Sequence, residues 1–171
     1  MHGENLILHT DFKLKYVFDV DKKLTNEIAK KFASKSIDDP RVAFKDKEID
    51  AIFIASSTST HIGLIEEAVK YKKVIFCEKP LDLSIDKINK CRKKIKNLKP
   101  KIQLGFNRRY DPGHNSLKKD LEKGVIGKLE KIIITSRDPA PPPIQYLKVS
   151  GGIFKDMMIH DFDLLRFYLN H

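Results

Sequence analysis

Asp156, His160 and Asp163 stand four and then three residues apart in the stretch GGIFKDMMIHDFD, residues 151–163. On a helix that spacing stacks the three side chains on one face. A carboxylate and an imidazole one turn apart, on a helix held by packing, are suited to taking and returning a proton. The glycine pair predicts a helix from Gly151 to about Leu169, with Ile153, Met157, Leu164 and Phe167 giving it an anchoring apolar surface. The same pattern also describes a helix whose polar face is simply solvated.

A second reactive group is Lys79 in Glu78-Lys79-Pro80, directly after the apolar run Val74–Cys77. A lysine leaving a buried strand is partly desolvated, which suits it to catalytic use. Glu78 could hold it, and the bond before Pro80 could be cis. A plain surface turn is the alternative for so short a motif.

The elements around these residues follow the rhythm of strand, turn and helix. Residues 1–8 read as the end of a helix. Lys13–Val20 is rich in β-formers and closes on Asp19, and Asp21 then caps a helix over about 22–33. Residues 34–48 are polar and broken by Pro40, with at most a short strand near 42–44. Ala51–Ala55 is fully apolar, as in a parallel strand covered on both faces. Ser56–Thr60 turns into a helix over 61–71, Val74–Cys77 is the next strand, and a helix over 84–96 leads to a strand over 102–106. A helix over 112–123 and a turn at 124–127 precede an expected strand over 128–136. Asp138–Val149 carries four prolines and is expected to be a stiff loop. The alternation predicts an α/β fold, a Rossmann-like doubly wound parallel sheet followed by the start of an α+β second domain. The boundary falls near Asn107–Tyr110, giving domains 1–107 and 108–171.

In such sheets ligands bind beyond the carboxyl ends of the strands. Asp19, the Ser56–His61 turn, Glu78-Lys79-Pro80 and Asn107–Tyr110 all fall there. Asp19 could accept the hydroxyls of an adenosine ribose and repel a 2′-phosphate, or merely cap its turn. The Ser56–Thr60 turn offers small side chains and free N–H groups beneath a cofactor, or is an ordinary helix start.

Composition narrows the classes. The 171 residues carry 33 Lys and Arg against 23 Asp and Glu, a formal net charge of +10. The excess is scattered lysine with few interleaved aromatics, as on solvated helix faces rather than in a nucleic-acid groove. No apolar run approaches the ~20 residues of a membrane span. No secretory leader is read at the N-terminus, and Cys77 and Cys91 make neither a disulfide framework nor a metal set, so a cytoplasmic protein is expected.

Taken in order, VIFCEKPLDLS, IQLGFNRRYDPGH and SRDPAPPP followed by GGIFKDMMIHDFDLLRFYL resemble the Gfo/Idh/MocA oxidoreductases. The resemblance is strongest to the inositol-oxidising members and spans essentially the whole chain. It implies NAD as cofactor, with NADP disfavoured, and a small polyol or sugar as substrate. It implies Lys79, Asp156 and His160 as catalytic residues, with a cis Lys79-Pro80 bond. Asp19, Ser56, Thr58, His61, Glu78, Lys79, Asn107 and Arg108 match positions that line the cofactor site. His160 would take the hydroxyl proton, Lys79 would bond the developing alkoxide, and Asp156 would hold a neighbouring hydroxyl. No metal, nucleic acid or membrane partner is implied, and full-length relatives are expected to be homo-oligomers.

The chain departs from the family pattern twice. The Gly-rich turn G-x-G-x-x-G and its strand are not in these residues, and only the beginning of the second domain is. The expectation is an internal piece of a longer enzyme, with little activity of its own. A non-catalytic relative is disfavoured by the joint presence of Lys79, Asp156 and His160. A metal-dependent phosphohydrolase is suggested by the doublet His160-Asp161, but only His61 and His114 sit in plausible loops to add ligands.

Overall fold

The computed structural model describes residues 2–170; Met1 and His171, the outer limits of the two expected domains, lie outside the described residues. Helix α1 (His2–Ile7) is followed by strand β1 (Tyr16–Val17) and helix α2 (Lys22–Lys31). Asp21 caps α2 as expected, its carboxylate accepting from the N–H groups of Lys23 and Leu24. Strand β2 (Lys35–Ser36) pairs parallel with β1. The short strand expected at 42–44 is instead helix α3 (Arg41–Lys45), which Pro40 opens and which buries Phe44. Pro40 has no N–H to lose at a helix start, so the residue read as a breaker is an initiator.

Strand β3 (Ala51–Ile54), helix α4 (Thr58–Ala68), strand β4 (Val74–Cys77), helix α5 (Ile85–Ile95) and strand β5 (Ile102–Leu104) come close to their expected bounds. The three strands form a parallel sheet in the order β3-β4-β5. Its core joins Ile54, Ile75 and Cys77 from the strands to Ile65, Ala68 and Val69 after β3 and Cys91 and Ile95 after β4. Ile65 and Ile75 are fully buried, and each such side chain contributes about 1.5–3 kcal/mol.

The β1-β2 pair is a separate two-stranded sheet, and among the described residues no ladder joins β1 to β3. Side chains tie the two parts together. Asp46 Oδ2 accepts from Lys15 Nζ at 2.6 Å and from the Tyr16 hydroxyl at 2.9 Å, which holds the Asp46 carboxyl down at about 2, Lys15 having the largest effect. On the far side of β3 and β4, the His2 ring packs against Phe76 and Phe53, which stack on one another.

After a single-turn 3₁₀ helix at Asn107–Tyr110, helix α6 (Pro112–Glu122) begins under an Asp111 cap. The strand expected over 128–136 does not form. Burial still alternates, with Ile132, Ile134 and Ser136 partly covered and their neighbours exposed. A strand needs a partner ladder, and no described segment lies alongside to supply one.

The loop expected through Val149 ends early, because helix α7 (Ile144–Ser150) starts directly after Pro143. The single helix expected from Gly151 to Leu169 is two pieces, α8 (Gly152–Asp156) and α9 (Ile159–Tyr168). Gly151 joins α7 to α8 with φ of +82°, and a Cβ there would stand 2.6 Å from Leu83 Cδ2. Both the left-handed backbone and the close approach call for glycine. No helix among the described residues is long and apolar enough to cross a membrane.

Candidate active site

The loops after β3, β4 and β5 meet the two helices α8 and α9 at the carboxyl edge of the parallel sheet. After β4 the chain turns through Glu78 and Lys79 into a cis Lys79-Pro80 bond, as expected. Lys79 Nζ reaches across 77 residues to Asp156, donating to its carbonyl oxygen at 2.6 Å and to its Oδ1 at 3.0 Å. Both side chains are largely buried, so this ion pair is shielded from the screening that weakens surface pairs.

The expected helix breaks at the point where Lys79 meets it. In an unbroken α-helix the Asp156 carbonyl would accept the His160 N–H. Here that carbonyl accepts from Lys79, and the His160 N–H donates instead to the carbonyl of Met157 at 3.2 Å. The carbonyl of Ile153 accepts from both Met157 and Met158, a wide turn that inserts one residue into the register. Asp156 and His160 therefore sit on consecutive helices, brought together by Lys79 rather than by a shared face.

Asp163, the third member of the expected face, points elsewhere. It is 7% exposed and accepts two 2.7 Å bonds from Arg109, Nε to Oδ2 and Nη2 to Oδ1. It anchors α9 instead of handling a proton. Ile153, expected as an anchor, is 59% exposed, whereas Leu164 is fully buried.

His160 is partly buried, its ring edge-on to Phe106. Its Nδ1 is the one buried side-chain N or O atom with no hydrogen-bond partner among the described residues. Burial holds the imidazole below its usual value, and the positive charges of Lys79 and Arg108 push the same way. The ring thus favours its neutral form beside a lysine–aspartate pair. That arrangement can accept a proton from a hydroxyl and stabilise the oxygen left behind.

Other expected residues hold this cluster or lie around it. His61 is buried beneath the site, its Nδ1 2.9 Å from the Pro80 carbonyl and its Nε2 2.9 Å from that of Ser56, so it ties the β3 turn to the lysine loop. Ser56 bonds Thr60, and Ser57 caps α4 without a side-chain bond. In the first turn the Thr60 N–H donates to the Ser57 carbonyl at 2.9 Å, and the Thr58 and Ser59 N–H groups have no intrahelical carbonyl to reach. Glu78 receives His2 Nε2 at 2.6 Å, and a Cβ on Gly105 would stand 2.9 Å from Glu78 Oε2. Asn107 is exposed at the end of β5. Arg108 is engaged by Ser136 and by Asp161, which neighbours His160. Asp19 lies apart from the cluster at the end of β1, where its Oδ1 accepts the Asp21 N–H. Tyr146 is the residue that the sequence pattern did not single out: its hydroxyl donates to Asp156 Oδ1 at 2.8 Å. The only signal for it was the helix start after Pro143.

A helix N-terminus with small residues, and Gly105 closely packed against Glu78, at the carboxyl edge of three parallel strands fit part of a dinucleotide site. Among the described residues no group of three His, Cys, Asp or Glu could hold a metal ion.

Comparison with known proteins agrees with this geometry. Residues 1–106 match the oxidoreductase family with an NAD-binding Rossmann fold, and residues 114–171 match the GFO/IDH/MocA C-terminal domain. The chain belongs to the Gfo/Idh/MocA oxidoreductase family. It is 42% identical over 170 residues to a myo-inositol 2-dehydrogenase of Thermotoga maritima, covering 99% of this chain and 51% of the relative. It is 49% identical over 122 residues to an inositol 2-dehydrogenase of Rhizobium meliloti, covering 71% and 37%. Among solved structures it superposes on a myo-inositol dehydrogenase from Corynebacterium glutamicum with a TM-score of 0.93 at 40% identity, covering 98% of this chain and 50% of that one. The scyllo-inositol dehydrogenase from Lactobacillus casei, solved with NAD(H) and scyllo-inositol bound, gives 0.83 at 30% identity, covering 98% and 52%. The chain thus spans about half the length of the relatives that it matches end to end.

Proposed function

We propose that this chain serves an NAD-dependent dehydrogenase that oxidises a secondary alcohol of a cyclic polyol, with myo-inositol as the first candidate. Residues 1–107 form its cofactor-binding part and residues 108–171 begin its substrate-binding part, a division supported by the family matches on either side of residue 107. The observation that carries the reading is the partly buried His160 ring, its protonation disfavoured by burial and by Lys79, beside the largely buried Lys79–Asp156 pair.

Bound NAD supplies the hydride acceptor. Ser56, Thr58, Glu78, Asn107 and Arg108 would line its place with His61 beneath them, and the Asp19 carboxylate would accept ribose hydroxyls and disfavour a 2′-phosphate, which favours NAD over NADP. His160 removes the proton of the reacting hydroxyl. The Lys79 ammonium donates to the oxygen as it gains negative charge, and Asp156 accepts a hydrogen bond from a neighbouring hydroxyl. The identified inositol dehydrogenases among the relatives support this substrate class.

The test is formation of NADH from myo-inositol by the protein and by its His160→Gln and Lys79→Met variants. Loss of a positioned base is expected to cost roughly 10²–10⁴-fold in kcat. Undiminished turnover in both variants would remove the assignment. The 171 residues alone contain no G-x-G-x-x-G turn to seat a pyrophosphate, so calorimetry on this polypeptide should find NAD binding weaker than micromolar.

A further inference from the structure

Tyr146 stands on α7, directly beyond the proline run, and its ring is 45% exposed. So exposed a ring fills little of any core; what it contributes is its hydroxyl. That hydroxyl donates to Asp156 Oδ1 at 2.8 Å, the same oxygen that accepts Lys79 Nζ at 3.0 Å. Lys79 spends its second bond on the Asp156 carbonyl. An ammonium has three N–H donors and a carboxylate about four acceptor sites. One Lys79 N–H and the whole of Asp156 Oδ2 are therefore without a protein partner among the described residues.

We propose that Tyr146 is a positioning residue that pins Asp156 by Oδ1, so that Oδ2 and the spare Lys79 N–H are presented together to two adjacent hydroxyls of the substrate. The inference rests on the dehydrogenase reading and narrows it to vicinal diols. Two hydroxyls on neighbouring carbons can use both groups at once, one accepting from Lys79 and the other donating to Oδ2. A simple secondary alcohol can use only one. Lys79 alone leaves the carboxylate free to rotate about its terminal torsion, which is broad and roughly two-fold, and to offer either oxygen. A second donor on Oδ1 from a different direction removes that freedom. Tyr146 suits the task because the prolines before α7 stiffen the backbone that carries it.

The experiment is a double-mutant cycle in the full chain with myo-inositol as the probe, followed by calorimetry, and with cyclohexanol as the single-hydroxyl comparator. Tyr146→Phe is expected to weaken myo-inositol binding about 10-fold, roughly the loss of one hydrogen bond to a charged group. It should leave cyclohexanol unchanged. In an Asp156→Asn background the same change should have no further effect, because the residue it positions is already altered. A purely structural role would instead add its full penalty in both backgrounds. Tyr146 ionisation, followed by ¹³Cζ NMR, supplies a readout independent of any substrate. Burial and the Asp156 carboxylate hold this phenol above the usual tyrosine range, and Asp156→Asn should lower it. Wild-type affinity in Tyr146→Phe, or additivity in the cycle, would overturn the proposal. If the unaltered chain takes up no myo-inositol, the dehydrogenase reading falls; a Tyr146 resonance that titrates identically with and without Asp156 would then overturn the positioning role as well.

Discussion

Arg109→Ala should be among the most destabilising substitutions of a surface-reaching residue in this protein, and the size of the loss follows from Asp163. That carboxylate is 7% exposed, and each of its oxygens accepts from Arg109 at 2.7 Å. The guanidinium also lies over the Phe167 ring, 5.5 Å from its centroid, so it packs as well as pairs. Removing one partner of a buried pair costs about 3–5 kcal/mol, because the other charge is left without compensation. Arg109 itself is 33% exposed, so water can follow its departure and lower the penalty to about 2–4 kcal/mol. For a domain of this size that is a fall in Tm of roughly 5–15 °C. Urea unfolding of Arg109→Ala beside Arg41→Ala provides the comparison. The Arg41–Asp39 pair is 61% and 41% exposed, so water screens it and its loss should barely move the unfolding curve. Replacing Arg109 and Asp163 together by Met and Leu should recover much of the loss, since no charge is then stranded. If Arg109→Ala costs no more than Arg41→Ala, the picture of α9 anchored through a buried ion pair is wrong.

Two further outcomes are expected. The folded-state imidazole of His160 is held below its usual value, so as pH falls through about 6.5 the unfolded chain binds a proton that the folded protein refuses. Stability should therefore decline from about pH 6.5 downwards until the lower folded value is reached, and His160→Gln should flatten that part of the pH–stability curve without affecting it above pH 7. Gly151→Ala meets both a φ of +82° and the Leu83 side chain 2.6 Å away; a loss of about 1–3 kcal/mol by chemical denaturation is expected, whereas Gly63→Ala, with open space around it, should be neutral or stabilising.

The parts of the fold that were legible in the sequence are those governed by local pattern. The runs Ala51–Ile54 and Val74–Cys77 were legible as strands because they are short and apolar throughout. Ile54, Ile75 and Cys77 are buried while Phe53 and Val74 stay 41% and 43% exposed, so the expected cover on both faces is incomplete. Asp21 announces a helix start because an N-cap bond closes within three residues, and Ser84 and Asp111 cap α5 and α6 in the same way although they were not singled out as caps. The segment at 128–136 misled because its alternation is only half of a strand; the other half is a partner. Pro40 and the run ending at Pro143 misled because proline ends one element and opens the next with the same fixed φ.

The candidate site divides along the same line. Residue type and order along the chain were sufficient to single out Lys79, Asp156 and His160, since an ammonium, a carboxylate and an imidazole carry their chemistry wherever they stand. How the three meet was decided only by the tertiary structure. Helical spacing puts Asp156, His160 and Asp163 on one face, yet the register slips by one residue after Ile153 and the Asp156 carbonyl accepts from Lys79 Nζ. Arg109 turns Asp163 to anchoring, and Tyr146 joins Asp156 from a helix that the prolines had obscured. A hydrogen bond between residues 77 positions apart has no local signature, because the free energy that selects it appears only once the sheet has brought the two ends together.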